Sequence, residues 1–115
     1  MSARGAALAY IAAVNAGDAD RLMALFSDDA VMQHPTGEHA GIAKLREFYE
    51  GLILASRTEL QAGRIVADEV DRVAMFELTA SSPLDDHTNL LHAVDVLDCD
   101  DTGRIVRLAV YYATT

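Results

Sequence analysis

Leu90-Leu91-His92-Ala93-Val94-Asp95-Val96-Leu97 has the period-two pattern of a β-strand. Successive strand side chains point to opposite faces of a sheet. Leu91, Ala93, Asp95 and Leu97 therefore share one face, and Leu90, His92, Val94 and Val96 share the other. Both faces are apolar, and one of them carries an acid. An ionised carboxylate flanked by Val94 and Val96 and left without a partner would lose several kcal/mol of solvation, so Asp95 is expected to be protonated or paired. A carboxylic acid held neutral by apolar surroundings can donate a hydrogen bond to a developing oxyanion. The same position also suits a structural hydrogen bond or a solvent-facing strand acid.

On either side of this strand the chain repeats its texture. Arg57 to Asp68, Arg72 to Ser81, His87 to Leu97 and Arg104 to Ala113 are rich in Val, Ile, Leu, Thr and Tyr. Turn-forming stretches separate them: Asp68 to Asp71, Ser82 to Asp86 and Asp98 to Gly103. Together they predict a four-stranded antiparallel meander. The first half of the chain reads differently. Leu8, Ile11, Ala12 and Val14 recur at helical spacing from Ala6 to Val14, and Asn15-Ala16-Gly17 supplies a stop. Asp18 can cap a second short helix with Leu22, Met23, Leu25 and Phe26 on its inner face, ending at Ser27-Asp28-Asp29. A short strand, Ala30 to His34, is closed by Pro35 and Gly37, because proline has no amide to give a ladder. Ile42, Leu45, Phe48, Tyr49, Leu52 and Ile53 then mark a third amphipathic helix from Ile42 to Leu54.

Helices followed by strands imply an α+β domain in which three N-terminal helices cover one face of a mostly antiparallel sheet. The second face is apolar too and needs its own partner, so a homodimer through the outer sheet face is expected. At 115 residues and 51% hydrophobic, residues 1–115 have the length and composition of one domain with a core of its own. Cys99 has no second cysteine to pair with, and no Cys/His spacing suggests zinc. No apolar run approaches the roughly 18 residues of a membrane span, and Met1 to Ala16 lacks the pattern of a signal peptide. The cytoplasm is the expected location. A net charge of −9 repels phosphate backbones and anionic lipid, so neither nucleic acid nor membrane is an expected partner.

Two further residues stand out beside Asp95. Tyr10 lies among Leu8, Ile11 and Val14, where a buried phenol seeks a polar partner and is often purely structural. His34 ends a strand just before Pro35 and can point across the mouth of a cavity, or sit as an ordinary edge histidine.

Tyr10-Ile11-Ala12-Ala13-Val14-Asn15-Ala16-Gly17-Asp18, Leu25-Phe26-Ser27-Asp28-Asp29-Ala30-Val31, His34-Pro35 and Phe48-Tyr49 together resemble the ketosteroid isomerase branch of the NTF2-like, or SnoaL-like, superfamily. Ala93-Val94-Asp95-Val96-Leu97, Gly103-Arg104-Ile105 and Ala109-Val110-Tyr111-Tyr112 look like its last two strands, so the similarity runs from about Leu8 to Tyr112. What this resemblance implies is a cone, its helices packed on a curved sheet around a pocket. It also implies a cofactor-free isomerase that moves a double bond into conjugation with a ketone, as from a 3-oxo-Δ5-steroid to its Δ4 isomer.

In that family a first-helix tyrosine and a protonated late-strand aspartic acid form an oxyanion hole, and Tyr10 and Asp95 match those positions. The family's base is an aspartate before a proline, where this chain has His34 before Pro35. A neutral imidazole can take a proton from carbon next to a carbonyl, and its ordinary pKa of about 6.5 suits the task. Tyr49 matches a supporting hydrogen-bond partner, and Phe26 stands where some relatives have a further tyrosine. Val14, Phe26, Met32, Phe48, Leu91 and Leu97 are the expected lining for a small, flat, hydrophobic, steroid-like ketone.

His39, His87 and His92 show no metal spacing, so no metal and no cofactor is expected, and the serines lack a nucleophile motif. An Asp-Arg-Asp set of the kind an epoxide hydrolase would use is not evident. Two other functions fit the same resemblance: a SnoaL-like polyketide cyclase using His34 for aldol chemistry, and a non-catalytic module that binds a hydrophobic ligand or serves as a scaffold.

Overall fold

The computed structural model describes residues 2–113. Helix α1 (Ala3–Ala16) begins where Ser2 accepts a hydrogen bond from the Gly5 amide, and it ends at Gly17, whose φ of 66° is left-handed. Ala3, Ala6, Ala7 and Ala13 form its buried stripe, and side chains this small let the helix lie close on the sheet. At its C-terminal end Asn15 works as a clamp. Its amide nitrogen donates to the Leu60 carbonyl at 3.0 Å and its oxygen accepts from the Leu60 amide at 2.7 Å. Asp18 caps α2 (Ala19–Met23) by accepting from the Arg21 amide.

The strands are β1 (Phe26–His34), β2 (Gly37–Ala40), β3 (Glu59–Ala67), β4 (Val73–Ser81), β5 (Leu91–Cys99) and β6 (Ile105–Tyr111). They form one open mixed sheet in the order β2-β1-β6-β5-β4-β3, with only β1 and β6 parallel. Helix α3 (Ile42–Phe48) lies between β2 and β3 in the chain and continues as a wider π-helical turn, Tyr49–Ile53. The three helices pack on the sheet face that carries Met32, Phe76, Leu97 and Leu108, all essentially buried. This is the α+β cone of the NTF2-like fold.

Four local expectations need correction. Leu25 and Phe26 do not belong to α2. The Ile105 amide donates to the Leu25 carbonyl at 2.8 Å and Phe26 pairs with Ile105, so strand geometry begins four residues before Ala30. Ser27-Asp28-Asp29 does not break the chain, because a register shift between Phe26 and Val31 lets the strand carry these polar residues. The third helix is not uniform either: the Leu54 amide reaches back five residues to the Tyr49 carbonyl, which opens the last turn. Finally, β2 is a strand that the sequence reading omits. Only four residues long, it forms a hairpin with β1 around Pro35-Thr36, pairing Met32 with His39 and His34 with Gly37.

Candidate active site

The helices and the inner sheet face meet in a cleft whose polar groups come from different elements. Tyr10 reaches it from α1, Tyr49 from the π turn, His34 from the end of β1, Asp95 from the middle of β5, and Tyr112 from just beyond β6. Met32, Phe48, Ile53, Leu78, Leu91 and Val110 supply most of the apolar wall. The free volume inside is about 70 Å³, room for about two water molecules.

At the buried end the Tyr10 and Tyr49 hydroxyls are 2.8 Å apart, and Tyr49 also reaches the Met32 sulfur at 3.6 Å. When Tyr49 donates to Tyr10, the Tyr10 hydrogen is free for a ligand. Phe26 and Phe76 meet the Tyr10 ring edge-on, with centroids 6.5 and 6.2 Å away, and so fix its orientation. Burial raises the pKa of both phenols, with the nearby Asp95 charge as a lesser cause, so both remain protonated.

Asp95 is 2% exposed and, among the described residues, is the one ionisable carboxylic acid buried in the core. Its Oδ1 is buried without a hydrogen-bond partner. Desolvation pushes its pKa up to about 7, so the acid is largely neutral below that pH. A buried polar atom left unmatched within a folded chain is costly, and a ligand atom would satisfy it.

His34 lines the same cleft from the end of β1. Its Nε2 is 3.4 Å from the Tyr112 hydroxyl, while Nδ1 is 2.8 Å from Thr36 Oγ1 and 3.2 Å from the Thr36 amide. Burial, and secondarily the neighbouring His39, lowers its pKa and keeps the ring neutral at pH 7. Phe48 packs against both imidazoles, with centroids 5.0 Å from His34 and 4.6 Å from His39.

The cleft therefore brings together Tyr10, His34, Tyr49 and Asp95, with Met32, Phe48 and Leu91 on its wall. It does not include Val14, Phe26 or Leu97 on its lining. Phe26 lies behind the two tyrosines, Leu97 lies one strand repeat beyond Asp95 on the same face, and Val14 is buried one helical turn past Tyr10. Tyr112 was not singled out from the sequence, although the alternation Leu108, Val110, Tyr112 carries it onto the inner face. Among the described residues no three His, Cys, Asp or Glu side chains converge as a metal site requires, and no helix is long and apolar enough to cross a membrane.

An open sheet wrapped by helices around an acid, three phenols and an imidazole has the architecture of the NTF2-like class. More particularly, the chain belongs to the SnoaL-like domain family, whose pattern matches residues 7–108. It is 30% identical over 113 residues to a steroid Δ-isomerase of Nocardioides simplex, covering 96% of this chain and 89% of that one.

Two solved structures share the fold at lower identity. The epoxide hydrolase/cyclase-like enzyme SalBIII, of pyran ring formation in the polyether salinomycin, is 23% identical, with a TM-score of 0.83 over 97% of this chain and 91% of its own. RV0760c of Mycobacterium tuberculosis, in complex with estradiol-17beta-hemisuccinate, is 18% identical, with a TM-score of 0.84 over 98% and 95%.

Proposed function

We propose that the protein is a cofactor-free isomerase that moves a carbon–carbon double bond into conjugation with a ketone, with a 3-oxo-Δ5-steroid as substrate and its Δ4 isomer as product. The observation that carries this reading is Asp95, a buried carboxyl whose pKa desolvation raises to about 7, its Oδ1 unmatched in a cleft shared with Tyr10. As the ketone becomes a dienolate, charge gathers on its oxygen. Tyr10 and protonated Asp95 donate to that oxygen in a dry site, where such bonds are strongest. His34 removes the proton next to the carbonyl and returns it to the far end of the conjugated system, so nothing is consumed and no redox partner is needed. Tyr49 supports the hole by holding the Tyr10 hydroxyl. The likeness to a steroid Δ-isomerase over nearly the whole chain supports the same class of reaction.

A free volume of about 70 Å³ is well below the roughly 300 Å³ at which ligand pockets begin, so a four-ring substrate must part the walls. Leu91, 39% exposed, and Ile53 on the π turn are the lining side chains best placed to yield.

The proposed assembly is a homodimer through the outer sheet face. Among the described residues no helix packs on that face, and Val66, Met75 and Val96 lie in one row across β3, β4 and β5 that continues to the buried Ala109 on β6. Val66, Met75 and Tyr111 are at least half exposed in the isolated chain. A lone buried thiol, Cys99, suits the cytoplasm.

The test is ultraviolet detection of the conjugated enone formed from 5-androstene-3,17-dione. The wild-type chain is expected to convert it, and Tyr10→Phe and Asp95→Asn each to lose on the order of 10²-fold in kcat. No conversion above the buffer rate sinks the steroid reading.

A further inference from the structure

A histidine can accept a proton at a given nitrogen only if that nitrogen is bare in the neutral ring, which requires the hydrogen to sit on the other nitrogen. At His34 the nitrogen on the cleft side is Nε2, which faces Tyr112, while Nδ1 faces the turn into β2. A base at Nε2 therefore needs Nδ1 to carry a hydrogen before the proton is taken, and again afterwards in the imidazolium. Among the contacts His34 makes, Thr36 Oγ1, at 2.8 Å, is the acceptor available to Nδ1.

The turn also contains an opposing influence. The Thr36 amide points at Nδ1 from 3.2 Å, and a backbone N–H can only donate. Acting alone, it would leave Nδ1 bare and put the hydrogen on Nε2, presenting a donor to the cleft where the proposed reaction needs a base. Two features work against it. The threonine hydroxyl is nearer than the amide and rotates freely, so it can accept where the amide cannot. At the other nitrogen stands a phenol, whose ring-delocalised lone pairs make it a better donor than acceptor, so Tyr112 favours a bare Nε2.

We propose that Thr36 is a positioning residue whose hydroxyl holds His34 in the Nδ1–H tautomer and so makes it a base. This inference rests on the isomerase reading above for its catalytic consequence, but the tautomer itself can be observed without any substrate. The hydroxyl has a second effect once the proton has been taken. Nδ1–H of the imidazolium donates to the same oxygen, and a bond from a charged donor is stronger than one between neutral groups. The groups facing the ring are few: Tyr112 from beyond β6, Thr36 from the turn, Phe48 from α3, and His39 from β2 across the Phe48 ring. Among the described residues, none of these groups is a carboxylate that could fix the tautomer instead.

The experiment is a long-range proton–nitrogen correlation spectrum of the ¹⁵N-labelled full chain at a pH where His34 is neutral. The His34 signals are assigned by their loss in His34→Gln. In the wild type the hydrogen-bearing nitrogen is expected to be Nδ1. Thr36→Val keeps the shape but removes the acceptor, and the hydrogen is expected to move to Nε2; Thr36→Ser is expected to restore the wild-type pattern. In the enone assay Thr36→Val is expected to lose on the order of 10²-fold in kcat with KM nearly unchanged, and Thr36→Ser to recover most of it.

Thr36 is exposed, so neither variant threatens the core. A wild-type ring with its hydrogen on Nε2, or a tautomer indifferent to Thr36→Val, overturns the assignment. If the wild type shows the Nδ1–H ring yet converts no steroid, the isomerase reading fails and the Thr36 assignment stands.

Discussion

Replacing Asp95 with asparagine is expected to change the pH dependence of stability in a calculable way. Desolvation raises the carboxyl pKa from 3.8 to about 7. The folded chain therefore binds a proton more tightly than the unfolded one. Between those two values the unfolded state loses its proton first, so stability falls as pH rises through the interval and the full penalty is present above pH 7. At about 1.4 kcal/mol for each tenfold difference in proton affinity, the wild type gives up about 4 kcal/mol of stability at alkaline pH.

Asparagine has nearly the same shape and does not ionise. It adds a buried amide in need of a partner, a cost of about 1–3 kcal/mol that does not vary with pH. The slope therefore carries the information and the offset does not. Between pH 5 and pH 9 the variant is expected to gain about 3 kcal/mol relative to the wild type, read from urea denaturation midpoints at each pH. A difference independent of pH, or one that runs the other way, would show that Asp95 is not a desolvated acid and would remove the basis for its donor role.

Activity should follow a bell-shaped profile. The acidic limb comes from protonation of His34 below its ordinary value of 6.5, and the alkaline limb from ionisation of Asp95 near 7, giving a kcat/KM maximum slightly below neutrality. Tyr10→Phe removes one side of a 2.8 Å hydrogen bond and should cost about 1 kcal/mol in thermal or chemical denaturation while leaving the fold intact, because the ring contacts with Phe26 and Phe76 remain. Met75→Glu places a charge in the apolar row of the outer face. It should convert a dimer to a monomer in sedimentation, and a wild type that already sediments as a monomer contradicts the proposed assembly.

How much of this was legible in the sequence depends on whether a feature is local and periodic. Alternation from Leu91 to Leu97 identified β5 and assigned its faces, and Asp18 marked the corner between α1 and α2 through its capping carboxylate. Leu22 to Phe26 misled because a short apolar run fits either a helical or a strand period, and only pairing with Ile105 decides between them. The π turn was hidden for a related reason: Phe48, Tyr49, Leu52 and Ile53 keep their helical spacing whether the last bond spans four residues or five.

At the site, position within the predicted elements drew attention to Tyr10, His34 and Asp95, and the resemblance to ketosteroid isomerases supplied the roles expected of them. Whether Asp95 Oδ1 finds a partner depends on side chains far away in sequence. Thr36 left no mark at all, since its contact with His34 comes from one turn's geometry rather than from any repeating pattern.

The isomerase account can be confronted in one reaction, using a 3-oxo-Δ5-steroid deuterated at the carbon between the ketone and the double bond, with product read by absorbance and mass spectrometry. Because His34 carries the same hydrogen from one carbon to the other, the predicted result is rapid enone formation with most of the deuterium retained in the product, abolished in His34→Ala. Enone formation that is unchanged by His34→Ala, or no enone above the uncatalysed rate, would contradict it.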